Sequence, residues 1–253
     1  MGKIISFSNQ KGGVGKTTSA INIAAVVAKK KNKVLLIDLD SQGNASSGVG
    51  INRKDMKFTS YDVMTGDCEA KDAIVKTEFA NLYLMPSSID LAGTDLELAD
   101  DNDRNNILST ALSGIRNEYD YIFIDCSPSL GVLTINALTA SDGVIIPMTA
   151  EFYALEGLSQ LVATIRQVKK LYNPKLDLTG ILVTMYDKRL NLSKQVLNEI
   201  DKYYSDKLFK TTISRNVRIS EAPSFGKPVI YFDKYSKGAI AYEKVTNELL
   251  KRI

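Results

Sequence analysis

Hydrophobic residues in this chain fall into short blocks rather than a simple alternation. Six blocks, at 4–8, 34–39, 82–86, 121–125, 143–148 and 178–184, are rich in β-branched residues, and a shorter seventh lies near 208–213. Near-continuous apolar runs of this length mark strands buried on both faces, as in parallel sheets. Between them, apolar positions recur at helical spacing over 104–117, 155–171 and 193–204, and 19–28 reads as a helix following the first strand. Strands alternating with helices predict an α/β fold, a mostly parallel twisted sheet with helices on both faces. No repeat, low-complexity tract or long linker interrupts the pattern, so 1–253 is expected to form one domain.

Composition narrows the chemistry. The chain has no histidine, which excludes Ser-His-Asp catalysis, histidine–metal sites and histidine acid–base work. Its two cysteines, Cys68 and Cys126, have no spacing that implies a zinc site or a disulfide framework. No apolar run reaches the roughly 18 residues of a membrane-crossing helix. The start, Met1-Gly2-Lys3, leads straight into a strand with no apolar leader, so a cytoplasmic location is expected. The net charge of +3 is small but uneven. Residues 184–253 carry 14 Lys/Arg against 8 Asp/Glu, whereas 1–183 carry 18 against 21. The C-terminal part is therefore either an ordinary solvated face or the surface offered to a polyanion.

Carboxylates, lysines and a bound nucleotide remain to do chemistry, and the first strand leads to a place for one. Asn9-Gln10-Lys11-Gly12-Gly13-Val14-Gly15-Lys16-Thr17-Thr18 joins that strand to the first helix. A strand, a glycine-rich turn and a helix N-terminus form a phosphate cradle, with Lys16 reaching the outer phosphates and the Thr17 hydroxyl placed for Mg²⁺. The usual spacing G-x-x-x-x-G-K-[ST] calls for glycine at position 10; this chain has Gln10 and an extra lysine, Lys11. In an open parallel sheet, ligands collect beyond the carboxyl ends of the strands. Two further strand ends carry acids: Asp38-Leu39-Asp40 after the second, and Asp125 after 121–124. Asp125 either holds Mg²⁺, directly or through water, or caps the following turn. Asp38 and Asp40 point to opposite sides of an extended strand, so they are not a paired dyad. Asp38 would support the metal shell. Asp40 would either orient the attacking water or cap the turn before Gly43-Asn44.

The run Lys11–Thr18, the segment Val34-Leu35-Leu36-Ile37-Asp38-Leu39-Asp40, and Gln42-Gly43-Asn44 resemble the deviant Walker-A ATPases. Asp125-Cys126-Ser127-Pro128 through Ala137, Tyr153-Ala154-Leu155-Glu156-Gly157-Leu158, and Arg215-Asn216-Val217-Arg218 through Ser224 narrow the likeness to the ParA/Soj partitioning ATPases, over nearly the whole chain. The resemblance implies a P-loop NTPase fold, ATP and Mg²⁺ as cofactors, and an ATP-dependent homodimer in which Lys11 reaches the partner's nucleotide. It implies nucleotide contacts from Lys11, Gly12, Gly13, Val14, Gly15, Lys16, Thr17 and Thr18, with Glu151 and Asn216 near the ribose and base. It makes Thr17, Asp38 and Asp125 the metal-side residues and Asp40, with Lys11 and Lys16, the residues of hydrolysis. It implies non-specific binding of double-stranded DNA through Arg189 and Arg218, helped by Arg215, Lys194, Lys227 and Lys234. A ParB-type centromere-binding partner would stimulate hydrolysis, and the protein would be nucleoid-associated. The chain departs from the family's pattern at Ser41, Ser127 and Ser214, where proline is usual, and at Phe225, where histidine is frequent.

Two rivals share this switch. A MinD-like cell-division ATPase would bind membranes through an amphipathic tail, and Tyr242, Val245, Leu249 and Ile253 do recur at helical spacing; the alternative is a final helix packed on the sheet. A nitrogenase-type iron protein would need two suitably placed cysteines per chain.

Overall fold

The computed structural model describes residues 1–151 and 154–253. Tyr153, part of one resemblance motif, lies outside the described residues. The strands are β1 (Lys3–Phe7), β2 (Val34–Leu39), β3 (Val75–Lys76), β4 (Leu82–Met85), β5 (Tyr121–Cys126), β6 (Gly143–Thr149) and β7 (Asp177–Thr184). They form one sheet in the order β3-β4-β2-β5-β1-β6-β7, parallel throughout except for the short edge strand β3. The helices are α1 (Lys16–Lys29), α2 (Asn44–Gly48), α3 (Ser60–Thr65), α4 (Thr94–Glu97), α5 (Ile107–Ser113), α6 (Val132–Ala140), α7 (Ala154–Leu171), α8 (Asn191–Tyr204), α9 (Val217–Glu221), α10 (Val229–Phe232) and α11 (Lys237–Leu249).

The continuous apolar runs do bury both faces. Along β2, Val34 and Leu36 pack with α1 and α11, while Leu35, Ile37 and Leu39 pack with α3, α5 and α6. Along β6 and β7, Ile145 and Leu182 join the first group, and Val144, Ile146, Ile181 and Val183 face α7 and α8. This fold is the mostly parallel α/β architecture that the hydrophobic blocks predict.

The seventh block forms no strand. Residues 207–213 run beside β7 as an irregular edge: the Ile181 N–H donates to the Lys207 carbonyl, the Phe209 N–H to the Ile181 carbonyl and the Ile213 N–H to the Val183 carbonyl. The helix expected over 104–117 is shorter, Ile107–Ser113, and starts where the Asn136 carboxamide oxygen accepts the Leu108 N–H at 3.0 Å. The C-terminal stripe is occupied by the protein itself, because Tyr242, Val245 and Leu249 are buried in the cluster with α1. Among the described residues no helix is long and apolar enough to cross a membrane.

Candidate nucleotide site

Register brings the predicted strand ends together. Asp125 pairs across β5 with Asp38 of β2 on one side and Phe7 of β1 on the other. The glycine loop leaves β1 at Phe7, so the loop and both acids meet at the carboxyl ends of the central strands. Gly13 (φ 72°) and Gly15 (φ 85°) lie in the left-handed region, where a side chain would be strained. Gly15 is the residue before α1, and it turns the first free N–H groups of that helix outward over Gly12–Thr18. No side chain caps this end, which leaves a helix N-terminus suited to an anion.

Thr184 and Asn9 hold the loop in shape, and Ser46 holds the acid beside it. The Thr184 hydroxyl at the end of β7 donates to the Val14 carbonyl at 2.7 Å. The Asn9 side chain donates to the Pro147 carbonyl at 2.8 Å and accepts the Lys11 N–H at 3.0 Å. Ser46 of α2 donates both its N–H (2.8 Å) and its hydroxyl (2.7 Å) to one oxygen of Asp38. Asn9 carries a local signal, since an Asx turn before glycines is readable in sequence. Thr184 carries none, because its partner lies 170 positions away.

The two in-register acids differ sharply. Asp38 is fully buried and accepts from Ser46 twice and from the Asp40 N–H at 3.2 Å; burial nonetheless raises its pKa to about 6. Asp125 is equally buried, but among the described residues neither of its oxygens has a hydrogen-bond partner. Burial first, and the charge of Asp38 second, push its carboxyl well above the usual carboxylate range. Thr17 stands close enough to weigh against that shift, as does Lys16, without completing a hydrogen bond to Asp125. Burial also lowers the pKa of Lys16, against the pull of Asp125, Cys126 and Asp40, and its ammonium donates to the Lys11 carbonyl at 3.2 Å. An unpartnered buried carboxylate beside a threonine hydroxyl and a lysine fits a divalent cation. Among the described residues no three histidine, cysteine or acidic side chains cluster as a complete metal cage. That pattern suits Mg²⁺, which is usually held by few protein ligands and the phosphates it accompanies.

Asp40 lies just past β2, nearly buried, and accepts the Gln42 N–H at 3.0 Å. Its Asx turn is the capping alternative; among the described residues the other carboxylate oxygen accepts no hydrogen bond. Lys11 is exposed and ion-paired with Glu151, whose carboxyl it holds below the usual range. Asn216 caps α9, accepting the Arg218 N–H at 3.0 Å, and lines a cavity of about 640 Å³ with Gly15, Thr18, Thr184, Arg215 and Tyr242. Glu151 does not line that cavity; it pairs with Lys11 and feels the charge of Arg215, which does line it. The basic residues are spread. Arg189, in the turn before α8, is held by Asp187 at 2.6 Å, and Arg218 by Glu221 (2.9 Å) and Asp233 (3.4 Å). Lys194, Lys227 and Lys234 are exposed.

A family model described as an AAA domain matches residues 2–178. The sporulation initiation inhibitor protein Soj of Bacillus subtilis is 51% identical over 98% of both chains. The chromosome-partitioning ATPase Soj of Treponema pallidum is 46% identical over all of this chain and 98% of its own. The chain belongs to the ParA/Soj family. Two solved structures extend the comparison. A plasmid partition protein from Borrelia burgdorferi bound to AMPPNP shares 34% identity and a TM-score of 0.85, with full coverage of both chains. A Mycobacterium smegmatis protein described as cobyrinic acid a,c-diamide synthase, bound to an ATP analogue and magnesium, shares 35% identity and a TM-score of 0.87 over 99% of this chain and 95% of its own. The fold of this ParA/Soj chain is that of the P-loop NTPases with a deviant Walker-A loop.

Proposed function

We propose that this chain is a Mg²⁺-dependent ATPase that segregates DNA, binding DNA non-specifically as an ATP-held homodimer and releasing it after slow hydrolysis stimulated by a ParB-type partner. The observation that carries the enzymatic part is Asp125, buried without a partner beside Thr17 and Lys16 at an uncapped helix N-terminus. The ATP analogues and magnesium in the related structures support the same ligands here.

The chain's own groups divide the work. Backbone N–H groups of Gly12–Thr18 receive the phosphates, with the α1 dipole behind them. Lys16 neutralises charge as the phosphoryl group moves, and its burial strengthens that effect. Thr17 and Asp125 would hold Mg²⁺, which supplies further neutralisation of the phosphate oxygens. Asp38, already saturated by Ser46, acts as a brace for that edge of the site. Asp40 accepts a hydrogen bond from the attacking water through its uncommitted oxygen and orients it. Lys11 exchanges Glu151 for phosphate oxygens, on the second subunit of the dimer. An exposed ion pair of this kind costs at most about 1 kcal/mol to break. Glu151 then lies near the ribose, and Asn216 and the 640 Å³ cavity receive the base.

The basic C-terminal part is the DNA face, through Arg189 and Arg218 with Arg215, Lys194, Lys227 and Lys234. All 253 residues act as one domain, located in the cytoplasm on the nucleoid. The buried stripe of α11 supports DNA over a membrane surface as the target. The test is ATP turnover with Mg²⁺, measured alone, with DNA, and with DNA plus a ParB-type protein. Turnover that rises only in the last mixture is expected; no turnover in any mixture removes the proposal.

A further inference from the structure

A groove of about 900 Å³ lies on the α3 and α5 side of the sheet, and it shares no described lining residue with the nucleotide cavity. Its floor is apolar. Val63, Ala70 and Ile115 are buried there, and Ile107 and Ala111 are half-buried against the same core cluster. Two glycines of the wall, Gly66 and Gly114, face open space, because a Cβ on either would meet no neighbouring atom within 4 Å. Among the described residues no side chain occupies the space before them, so a ligand can approach the backbone closely.

The exposed wall around that floor is acidic. Glu69, Asp103 and Glu118 are exposed, and the one basic residue of the described lining, Lys71, is tied to Glu69 at 2.7 Å. The Cys68 thiol lines the same groove, and its pKa is pushed up to about 11, by burial first and then by Asp62, Asp72 and Asp67. The charge also extends past the groove. Residues 61–120 carry 13 Asp/Glu against 4 Lys/Arg, in a chain whose net charge is +3. A negative field of this kind attracts cations and repels nucleic-acid phosphates.

An apolar floor inside an acidic wall calls for a ligand with the inverse pattern. A short amphipathic segment with lysine or arginine beside small apolar residues has it. In such docking the spaced apolar anchors set the fit, and the charges set the choice of partner. We propose that this groove docks a cationic amphipathic segment of a partner protein, its apolar side on Ile107 and Ala111 and its cations among Glu69, Asp103 and Glu118. The rival occupant is a second copy of this chain, offering the basic residues of its C-terminal part. Those cations are the ones assigned above to DNA, so a copy seated here would give up that contact.

The test uses the full chain and a labelled, helix-forming peptide of lysine, leucine and alanine, read by fluorescence anisotropy beside its glutamate-for-lysine counterpart. The parent should bind the lysine peptide, more weakly as salt rises, and should not bind the glutamate peptide. Gly114 has helical backbone angles (φ −71°), so Gly114→Trp fills the groove without backbone strain. That variant should lose roughly ten-fold or more of the peptide affinity. Gly114→Ala, too small to block the floor, should keep it. Glu69→Lys should lose several-fold, whereas Glu78→Lys, the same change of charge outside the groove's lining, should lose little. If Gly114→Trp melts earlier than the parent, the two exposed charge reversals carry the decision. No binding by the parent, full binding by a stably folded Gly114→Trp, or equal losses in Glu69→Lys and Glu78→Lys overturns the proposal. So does self-association of the nucleotide-free parent that Gly114→Trp abolishes, since the occupant is then a second copy. ATP turnover, measured separately, tests the ATPase reading and leaves this one untouched.

Discussion

Asp38 and Asp125 stand in register on adjacent parallel strands, and only Asp38 is satisfied by the protein. Two carboxylates so placed repel when both are ionised, and water cannot screen them. Ser46 resolves half of the problem by donating twice to Asp38. The other half, at Asp125, remains a cost to the nucleotide-free chain.

That cost depends on pH. The folded pKa of Asp38 is raised, to about 6 against 3.8, and that of Asp125 is also raised, by burial first and the charge of Asp38 second. A raised acid binds more protons when folded, so stability falls as pH climbs from the unfolded value through the folded one. The nucleotide-free chain should therefore lose thermal stability as pH rises from about 4 to 6 through Asp38, and Asp125 should add to the loss in the same direction. In Asp125→Asn the contribution of Asp125 disappears and the pH dependence becomes smaller. The same variant should gain little Tm from Mg²⁺ and ATP, whereas the parent gains several degrees. Calorimetry across pH, with and without nucleotide, checks both statements.

Ser46→Ala removes the hydroxyl that donates to Asp38 and accepts the Ser87 N–H at 3.2 Å. Both partners are buried, so the cost should be about 1–3 kcal/mol in urea unfolding. A value near zero would mean that water replaces the hydroxyl.

Asp40→Ala should retain ATP binding and dimerisation while turnover stops, because the carboxylate lies at the strand exit and among the described residues holds only the Gln42 N–H. Equilibrium nucleotide binding and phosphate release, measured on the same preparation, separate the two effects. Hydrolysis at the parental rate would dismiss Asp40 as the residue that orients water.

Arg189→Glu and Arg218→Glu should each weaken DNA binding by ten-fold or more at low salt and leave ATP-dependent dimerisation unchanged. Each swap removes a phosphate contact and adds repulsion, so the slope of log affinity against log salt should also become shallower. Titrations at several salt concentrations, beside a sizing experiment, provide the check. Unchanged affinity in both variants would move the polyanion surface elsewhere.

Much of this molecule was legible as sequence because its signals are local. Apolar blocks set six strands, as each must be buried on both faces wherever it lies in the sheet. The glycine loop is a single stretch whose backbone needs left-handed turns at Gly13 and Gly15, so its residues declare the phosphate cradle. What stayed hidden depends on contacts between distant positions. Residues 208–213 have strand-like composition, but they meet β7 only at scattered points and form no ladder. The two-residue strand β3 was too short to stand out from its polar surroundings.

By itself, the sequence determined the layered α/β architecture, the phosphate loop and the set of acids at the strand ends, because period and turn chemistry are written in neighbouring residues. Only the tertiary structure decided that Asp38 is held by Ser46 while Asp125 is left without a partner, and that Glu151 stands with Lys11 rather than with Asn216. It also decided that the apolar stripe of the last helix is spent on α1. Each of those outcomes turns on which distant group supplies a hydrogen bond, a counter-charge or an apolar surface, and that choice is made when the strands take their register and the helices pack.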